Sequence, residues 1–363
     1  MIKQYLKESI FWYLRQSNRV NKKYSVALSL ILGQSSIADK SSSVTLPFFP
    51  GEKADLWPFS WLLGIKSVFL CRIFKGYNMA YNLLKGKRGI IFGALNNMSI
   101  AWKVAERCAE EGAKIVLSNT EMALRMGELD ELSKKIDAPI IAADATNYDD
   151  LENVFVKAQE LLGGKVDFVL HSIGMSPNVR KHRTYDDLDY NWLNKTLDIS
   201  AISFHKMLQA AKKVDAIADY GSVLALTYVA SHRTFFGYND MADAKSLLES
   251  IARSFGYIYG REKNVRINTI SQSPTATTAG KGIKDIDNMM DFADKMSPLG
   301  NASADECADY CVVMFSDLTR KVTMQTLFHD GGFSNMGMSL RAMNQYSKDL
   351  APYEDENGKV IYG

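Results

Sequence analysis

The sequence predicts an α/β protein, a doubly wound parallel sheet of about seven strands in a single domain with an N-terminal extension. Three observations lead there. After Lys87, seven short runs rich in Ile, Val, Leu and Phe recur along the chain, each of about the length of a buried strand. Helical stretches separate them, so consecutive strands run the same way and both faces of the sheet are covered. The first run ends in a glycine turn that opens directly into a helix. Composition agrees: of 363 residues, 47% are apolar and 23% charged, the balance of a globular domain.

Residues 1–78 differ from the rest of the chain. They hold 11 Lys and Arg against 4 Asp and Glu, a charge of +7, whereas the remainder carries 32 against 37, a charge of −5. A mildly acidic body is not that of a nucleic-acid binder. The run "SVALSLILG" comes after a long charged lead and has no small-residue cleavage site, so a signal peptide fits poorly. "FSWLLGIKSVFLCRIF" is too short for a membrane span and holds Lys66 in its middle, so no stable membrane insertion is expected. Residues 1–78 therefore read as a poorly ordered leader, an organellar transit peptide or a mis-assigned start before Met79, on even terms with a genuine extension. The domain is expected over 79–340, with a tail over 341–363 in which Asn357-Gly358 suits a hairpin turn. The four cysteines, Cys71, Cys108, Cys307 and Cys311, form no C-x-x-C pair. That fits a reducing, cytoplasmic setting.

The strands are expected, in order, at "RGIIFGA", "KIVLS", "APIIAAD", "VDFVLHS", "GSVLALTY", "VRINTIS" and "TLFHDGG". "SIAWKVAERCAEEGA" and "LENVFVKAQELLG" are helices between them. The first strand runs into "FGALNNMSIAWKVA", a strand–glycine–helix arrangement of the Rossmann-like kind. Gly93 allows a tight turn, and the helix starting near Ser99 and Ile100 offers unpaired N–H groups to a pyrophosphate. Leu95 and Met98 fill positions that are glycine in the regular dinucleotide fingerprint, so the motif is irregular. At the end of the second strand, Asn119, Thr120 and Glu121 include no immediate basic pair. That favours NADH over NADPH, which stays the alternative cofactor. Asp144, ending the third strand, suits either an adenine amino group or a turn cap. His171 ends the fourth strand and reads as a structural hydrogen-bonding group.

"FGYNDMADAKSLLES" places Tyr238 and Lys245 seven positions apart. On one helix that spacing returns to nearly the same azimuth with about 10.5 Å of rise, and Ala242 and Ala244 leave room between them. A lysine beside a ribose binds its hydroxyls and lowers the pKa of a nearby phenol. Carbonyl reduction joins hydride and oxygen across one bond. Reduction of an α,β-unsaturated thioester puts hydride on the β-carbon and charge on an oxygen further away, which suits the wider spacing through an enolate. Taken alone, the pair is better read as an ordinary helix with an incidental Tyr and Lys.

Five stretches in order, "GALNNMSIAW", "HSIGMSPN", "LTYVASHRTFFGYNDMADAKSLLES", "NVRINTISQSPTATTAGKGIKD" and "FHDGGFSNMGM", resemble the NADH-dependent enoyl-acyl-carrier-protein reductases of type II fatty acid synthesis. These are a divergent branch of the short-chain dehydrogenase/reductases. The resemblance runs from about Met79 to Met338 and implies an enzyme that reduces the trans-2 double bond of enoyl thioesters. It implies Tyr238 and Lys245 as the catalytic pair, and Tyr228 as a second active-site tyrosine lining the acyl pocket. It also implies a pyrophosphate loop at Gly93, Ser99 and Ile100, ribose-side contact near Thr120, and adenine contact at Asp144 and Ala145. Ile173 and Gly174 would flank the nicotinamide, with Ser176 toward substrate. Pro274, Thr275 and Thr277 would hold carboxamide and phosphate. "TTAGKGIKD" would be a substrate lid, with Gly280 and Gly282 giving it freedom to move. The implied partners are an acyl carrier protein bearing the enoyl thioester, for which Lys281 and Lys284 are candidate contacts, and three further copies in a homotetramer. No metal is implied. Two other readings keep the fold: a carbonyl-reducing short-chain dehydrogenase, against which Ala242 counts, and a non-catalytic nucleotide-sensing protein, against which the retained Tyr238 and Lys245 count.

Overall fold

The computed structural model describes residues 80–125, 128–278, 280–283 and 286–349. The extension over 1–78, the side chain of Lys281, the whole of Lys284 and the turn at Asn357-Gly358 lie outside the described residues. All seven expected strands form, as one parallel sheet in the order β3-β2-β1-β4-β5-β6-β7. They are β1 (Arg88–Phe92), β2 (Lys114–Asn119), β3 (Ile140–Ala142), β4 (Val166–His171), β5 (Ile217–Thr227), β6 (Arg266–Gln272) and β7 (Thr326–His329). The helices are α1 (Ile100–Glu110), α2 (Glu121–Arg125), α3 (Leu129–Ile136), α4 (Tyr148–Leu162), α5 (Pro177–Arg180), α6 (Tyr190–Leu197), α7 (Ser203–Lys213), α8 (Asp240–Lys263), α9 (Ile286–Met296), α10 (Ala304–Phe315) and α11 (Leu340–Asp349). Among the described residues no helix is long and apolar enough to cross a membrane.

Both sheet faces are covered, as continuous apolar strands require. On one face Phe155, Phe204, Leu248 and Ala244 from α4, α7 and α8 pack together. On the other Trp102, Leu132 and Phe315 from α1, α3 and α10 do so, and Phe168 of β4 stacks on Phe315 at 4.5 Å between ring centroids. Arg266 of β6, 4% exposed, reaches under the end of α10 and donates to the carbonyls of Met314 and Ser316 at 2.8 and 3.0 Å. A cation there satisfies C-terminal carbonyls that no helix N–H can reach.

Two boundaries differ from expectation. β5 starts at Ile217 rather than Gly221, because the irregular pairing around Tyr220, which has a φ of 63°, joins two strand pieces across residues with no apolar alternation. The chain from Leu340 to Asp349, expected as tail, is the helix α11. β1 and β4 are neighbours whose onward connections run to opposite sides, so a crevice opens beyond their C-terminal ends.

Candidate active site

Gly93 leaves β1 with a φ of 94°, and a Cβ there would collide with the carbonyl oxygen of Ser172 just beyond β4. Only glycine lets the two strand ends approach this closely. Ser99 stands at the N-cap of α1 but does not cap it with its side chain. Its hydroxyl accepts from Leu95 N–H at 3.2 Å and donates to Asn96 O at 2.7 Å, which folds the loop back on itself. The first N–H groups of α1 thus keep no side-chain partner and face the crevice end of the sheet. Ile100 packs against the α1 core. Asn96 donates to Thr278 at 2.8 Å, joining this loop to the segment after β6.

Thr120 caps the short α2 by accepting from Ala123 N–H at 3.3 Å. The nearby base, Arg125, is paired with Glu121 at 3.0 Å, both side chains exposed. Asp144 is exposed and accepts from the N–H and hydroxyl of Thr146, both at 2.8 Å, in a turn-capping arrangement. Ala145 is buried at 9% in the core, leaving only its backbone to a ligand. Beyond β6, Pro274 is buried. Thr275 donates to Ser273 O at 2.9 Å, and Thr277 accepts from Gly280 N–H at 3.0 Å. Gly280–Gly282 form a single 3-10 turn.

Ile173 packs on the α4–α8 core, and beside it Gly174 lies against α8. A Cβ on Gly174 would meet Met241 Cε at 3.4 Å and Lys245 Nζ at 3.7 Å. Lys245 is buried at 7% and donates to Leu226 O at 2.8 Å. Burial pulls its pKa down from 10.5 to about 8, and Glu249, one turn on, pulls the other way. His171 is pushed down to about 3 by burial and by Lys245, so it is neutral. Ser203 donates to Ile199 O at 2.7 Å, so its oxygen accepts from His171 Nε2 at 2.9 Å, which fixes the tautomer. A neutral, buried imidazole held this way is structural.

Tyr238 does not share a helix with Lys245. α8 begins at Asp240, and Tyr238 lies in the preceding turn between Gly237, with φ 77°, and Asn239, with φ 44°. Two left-handed residues break the right-handed screw, so the same-azimuth argument from spacing fails. Nor does Lys245 depress the phenol: burial alone moves Tyr238, and it moves it up. Tyr238 and Tyr228 are each 7% exposed with ring centroids 5.0 Å apart. Burial also pushes the Tyr228 phenol up. Its hydroxyl reaches Met289 Sδ of α9 at 3.7 Å, and Phe235, Phe333 and Met296 complete an apolar cluster around the two phenols.

Ser176 is buried at 4%, and its one proton is committed to Asp240 Oδ1 at 2.6 Å, while its oxygen accepts from Val179 N–H at 3.0 Å. It braces the site instead of presenting a hydroxyl to substrate. Asp240 itself, with no exposed surface, also accepts from Asn178 at 2.9 Å and Thr196 at 2.8 Å. Sequence reading passes over it, because an acid in the first turn of a helix is ordinary. Ser200, likewise missed, lies in a π-helical turn, Asp198–Ile202, between α6 and α7. Its hydroxyl accepts from Met175 N–H at 3.0 Å and donates to Met175 O at 3.1 Å. A π-turn often marks a functional site.

The sequence pattern of the family described as Enoyl-(Acyl carrier protein) reductase matches residues 93–334. The NADH enoyl-acyl-carrier-protein reductase 1 of Rhizobium meliloti (strain 1021) is 34% identical over 261 residues, which are 71% of this chain and 94% of that relative. In structure the chain is similar to a crystallised FabI–NADH complex from Alistipes finegoldii, with 65% identity and a TM-score of 0.73, over 78% of this chain and 100% of that one. It is also similar to an NADH enoyl-acyl-carrier-protein reductase from Aquifex aeolicus VF5, with 27% identity and a TM-score of 0.66, over 70% of this chain and 99% of that one.

Proposed function

The chain belongs to the enoyl-(acyl carrier protein) reductase family, and from that premise we infer what each part of its site does. The enzyme reduces the trans-2 double bond of enoyl thioesters on acyl carrier protein with NADH, the final reductive step of fatty acid elongation. The residues fit a dinucleotide: the Gly93 turn admits a close backbone approach, the α1 N-terminus suits a pyrophosphate, and Arg125 is already paired with Glu121. NADH, when bound, supplies the hydride. Thr275 and Thr277 lie at the β6 end of the same crevice, where they hold the carboxamide and phosphate.

One observation carries the mechanism: two buried phenols lie together in a cluster against which Met241 packs, the residue whose side chain also lies against Gly174. As the β-carbon accepts hydride, negative charge collects on the thioester oxygen. A phenol whose pKa is raised by burial keeps its proton at neutral pH, so Tyr238 donates to that oxygen as the charge develops. Lys245, still largely charged at neutral pH, holds ribose hydroxyls and fixes the nicotinamide side. Tyr228 and Met289 line the acyl channel, and α9 covers it. The protein works as a cytoplasmic homotetramer, a reading supported by family membership; light scattering on the purified chain tests it by mass.

NADH oxidation followed at about 340 nm with crotonyl thioester, then with acetoacetyl thioester, tests the reaction. Turnover of the first and not the second is expected. Turnover of the keto substrate alone overturns the reading.

A further inference from the structure

Asp240 is a fully buried acid that accepts from Ser176 and Asn178 and shares the single Thr196 hydroxyl proton with the carbonyl of Trp192, each 2.8 Å from that oxygen. A carboxylate is costly to bury, and hydrogen bonds from Ser176 and Asn178, with a shared one from Thr196, offset that cost. An acid that merely complements a helix N-terminus does so equally well from the surface. The donors come from outside α8. Ser176 and Asn178 belong to the segment leaving β4, directly after Ile173, Gly174 and Met175, and Thr196 belongs to α6. Asn178 extends the tie by exchanging bonds with the backbone of Asp189, at 3.2 Å to its carbonyl and 3.0 Å from its N–H. The neighbouring Asn239 donates its side-chain amide to Arg183 O. On the other side of the same segment, Ser200 grips both backbone groups of Met175.

Tyr238 sits two residues before Asp240, in a turn whose flanking residues have positive φ. Backbone bonds from Met241 N–H to Tyr238 O at 3.1 Å and from Ala242 N–H to Asn239 O at 3.0 Å tie that turn to the start of α8, so whatever holds α8 to the segment after β4 also places Tyr238. We propose that Asp240 is a positioning residue for the reduction. Its carboxylate latches the segment after β4 to the first turn of α8 and so sets the separation between the nicotinamide-side backbone at Gly174 and the phenol of Tyr238. The proposal rests on the assignment of Tyr238 and Gly174 to the reacting site. It acts through geometry: a reacting pair displaced by a fraction of an ångström loses turnover while cofactor contacts elsewhere persist.

The test compares wild type, D240N, T196V and S176A in the full chain. The readouts are kcat, KM for NADH, the deuterium isotope effect on kcat with 4-deuterated NADH, and Tm. In D240N, whichever way the amide turns, one edge presents an N–H toward groups that now donate to the carboxylate. Its kcat is expected to fall at least about tenfold with KM for NADH changed less than about twofold, and the isotope effect to rise as hydride transfer becomes rate-limiting. T196V and S176A each remove one donor with little change of shape. They are expected to lower kcat about threefold and to lower Tm less than D240N does, remaining folded at the assay temperature, which keeps the test decisive if D240N folds poorly. Turnover unchanged in all three variants overturns the latch. So does a kcat loss that merely tracks the folded fraction, with the isotope effect unmoved. Absence of crotonyl thioester reduction by wild type would instead remove the functional reading beneath it.

Discussion

At the scale of single residues, the chemistry depends on which groups keep their protons. Burial keeps the phenols of Tyr228 and Tyr238 protonated, and the same burial brings Lys245 down to about 8. Tyr238→Phe is expected to lower kcat by about 10²-fold, the size of one lost donor to a developing oxyanion, with NADH affinity little altered. Lys245→Ala should weaken both, as measured by steady-state kinetics and NADH fluorescence titration. Equal loss of NADH affinity in the two variants would contradict the separate roles. The Lys245 amine also gives a pH signature. Its charge is present below about 8 and lost above it, so NADH affinity should fall as pH rises through that value. The unfolded chain holds the same proton up to about 10.4, so between those values the unfolded state binds more protons and folding stability rises with pH. Binding and stability thus move in opposite directions across one window, and Lys245→Ala should flatten both trends.

At the scale of elements, periodicity and turn chemistry are legible in the sequence and exceptions to them are not. The seven strands stand out because buried parallel strands are continuous apolar runs, and the Gly93 turn because only glycine tolerates its φ. The start of α8 is misjudged because the spacing of Tyr238 and Lys245 is read as one helix, although "GYND" is turn-forming in composition and the positive φ at 237 and 239 interrupts it. The Asp240 network escapes because its donors lie 44 to 64 positions away in sequence. β6 and α10 are tied in the same non-periodic way. Arg266→Leu takes the guanidinium from Ser316 O and from Met314 O, the latter keeping the Ser222 hydroxyl at 2.9 Å. It is expected to cost about 2–4 kcal/mol, read as a lower urea midpoint at constant m-value. An unchanged midpoint would show that the guanidinium contributes nothing net.

At the scale of the whole molecule, the matched relative is spanned over 94% of its length by 71% of this chain, and every described element lies at residue 80 or later. A chain beginning at Met79 is therefore expected to keep kcat with crotonyl thioester within about twofold of the full chain. Loss of activity on that truncation would give residues 1–78 a role in the catalytic body. Composition alone marks a change of charge near residue 79; it says nothing of contacts such as that of Tyr228 with Met289, which meet across 61 positions. The placement of Tyr238 ahead of α8 carries one further implication. A phenol mounted on a turn and an ammonium mounted on a helix are separately adjustable parts. On the proposed roles, substitutions at 237 or 239 are expected to move the phenol while the Lys245 hydrogen bond to Leu226 O stays as it was.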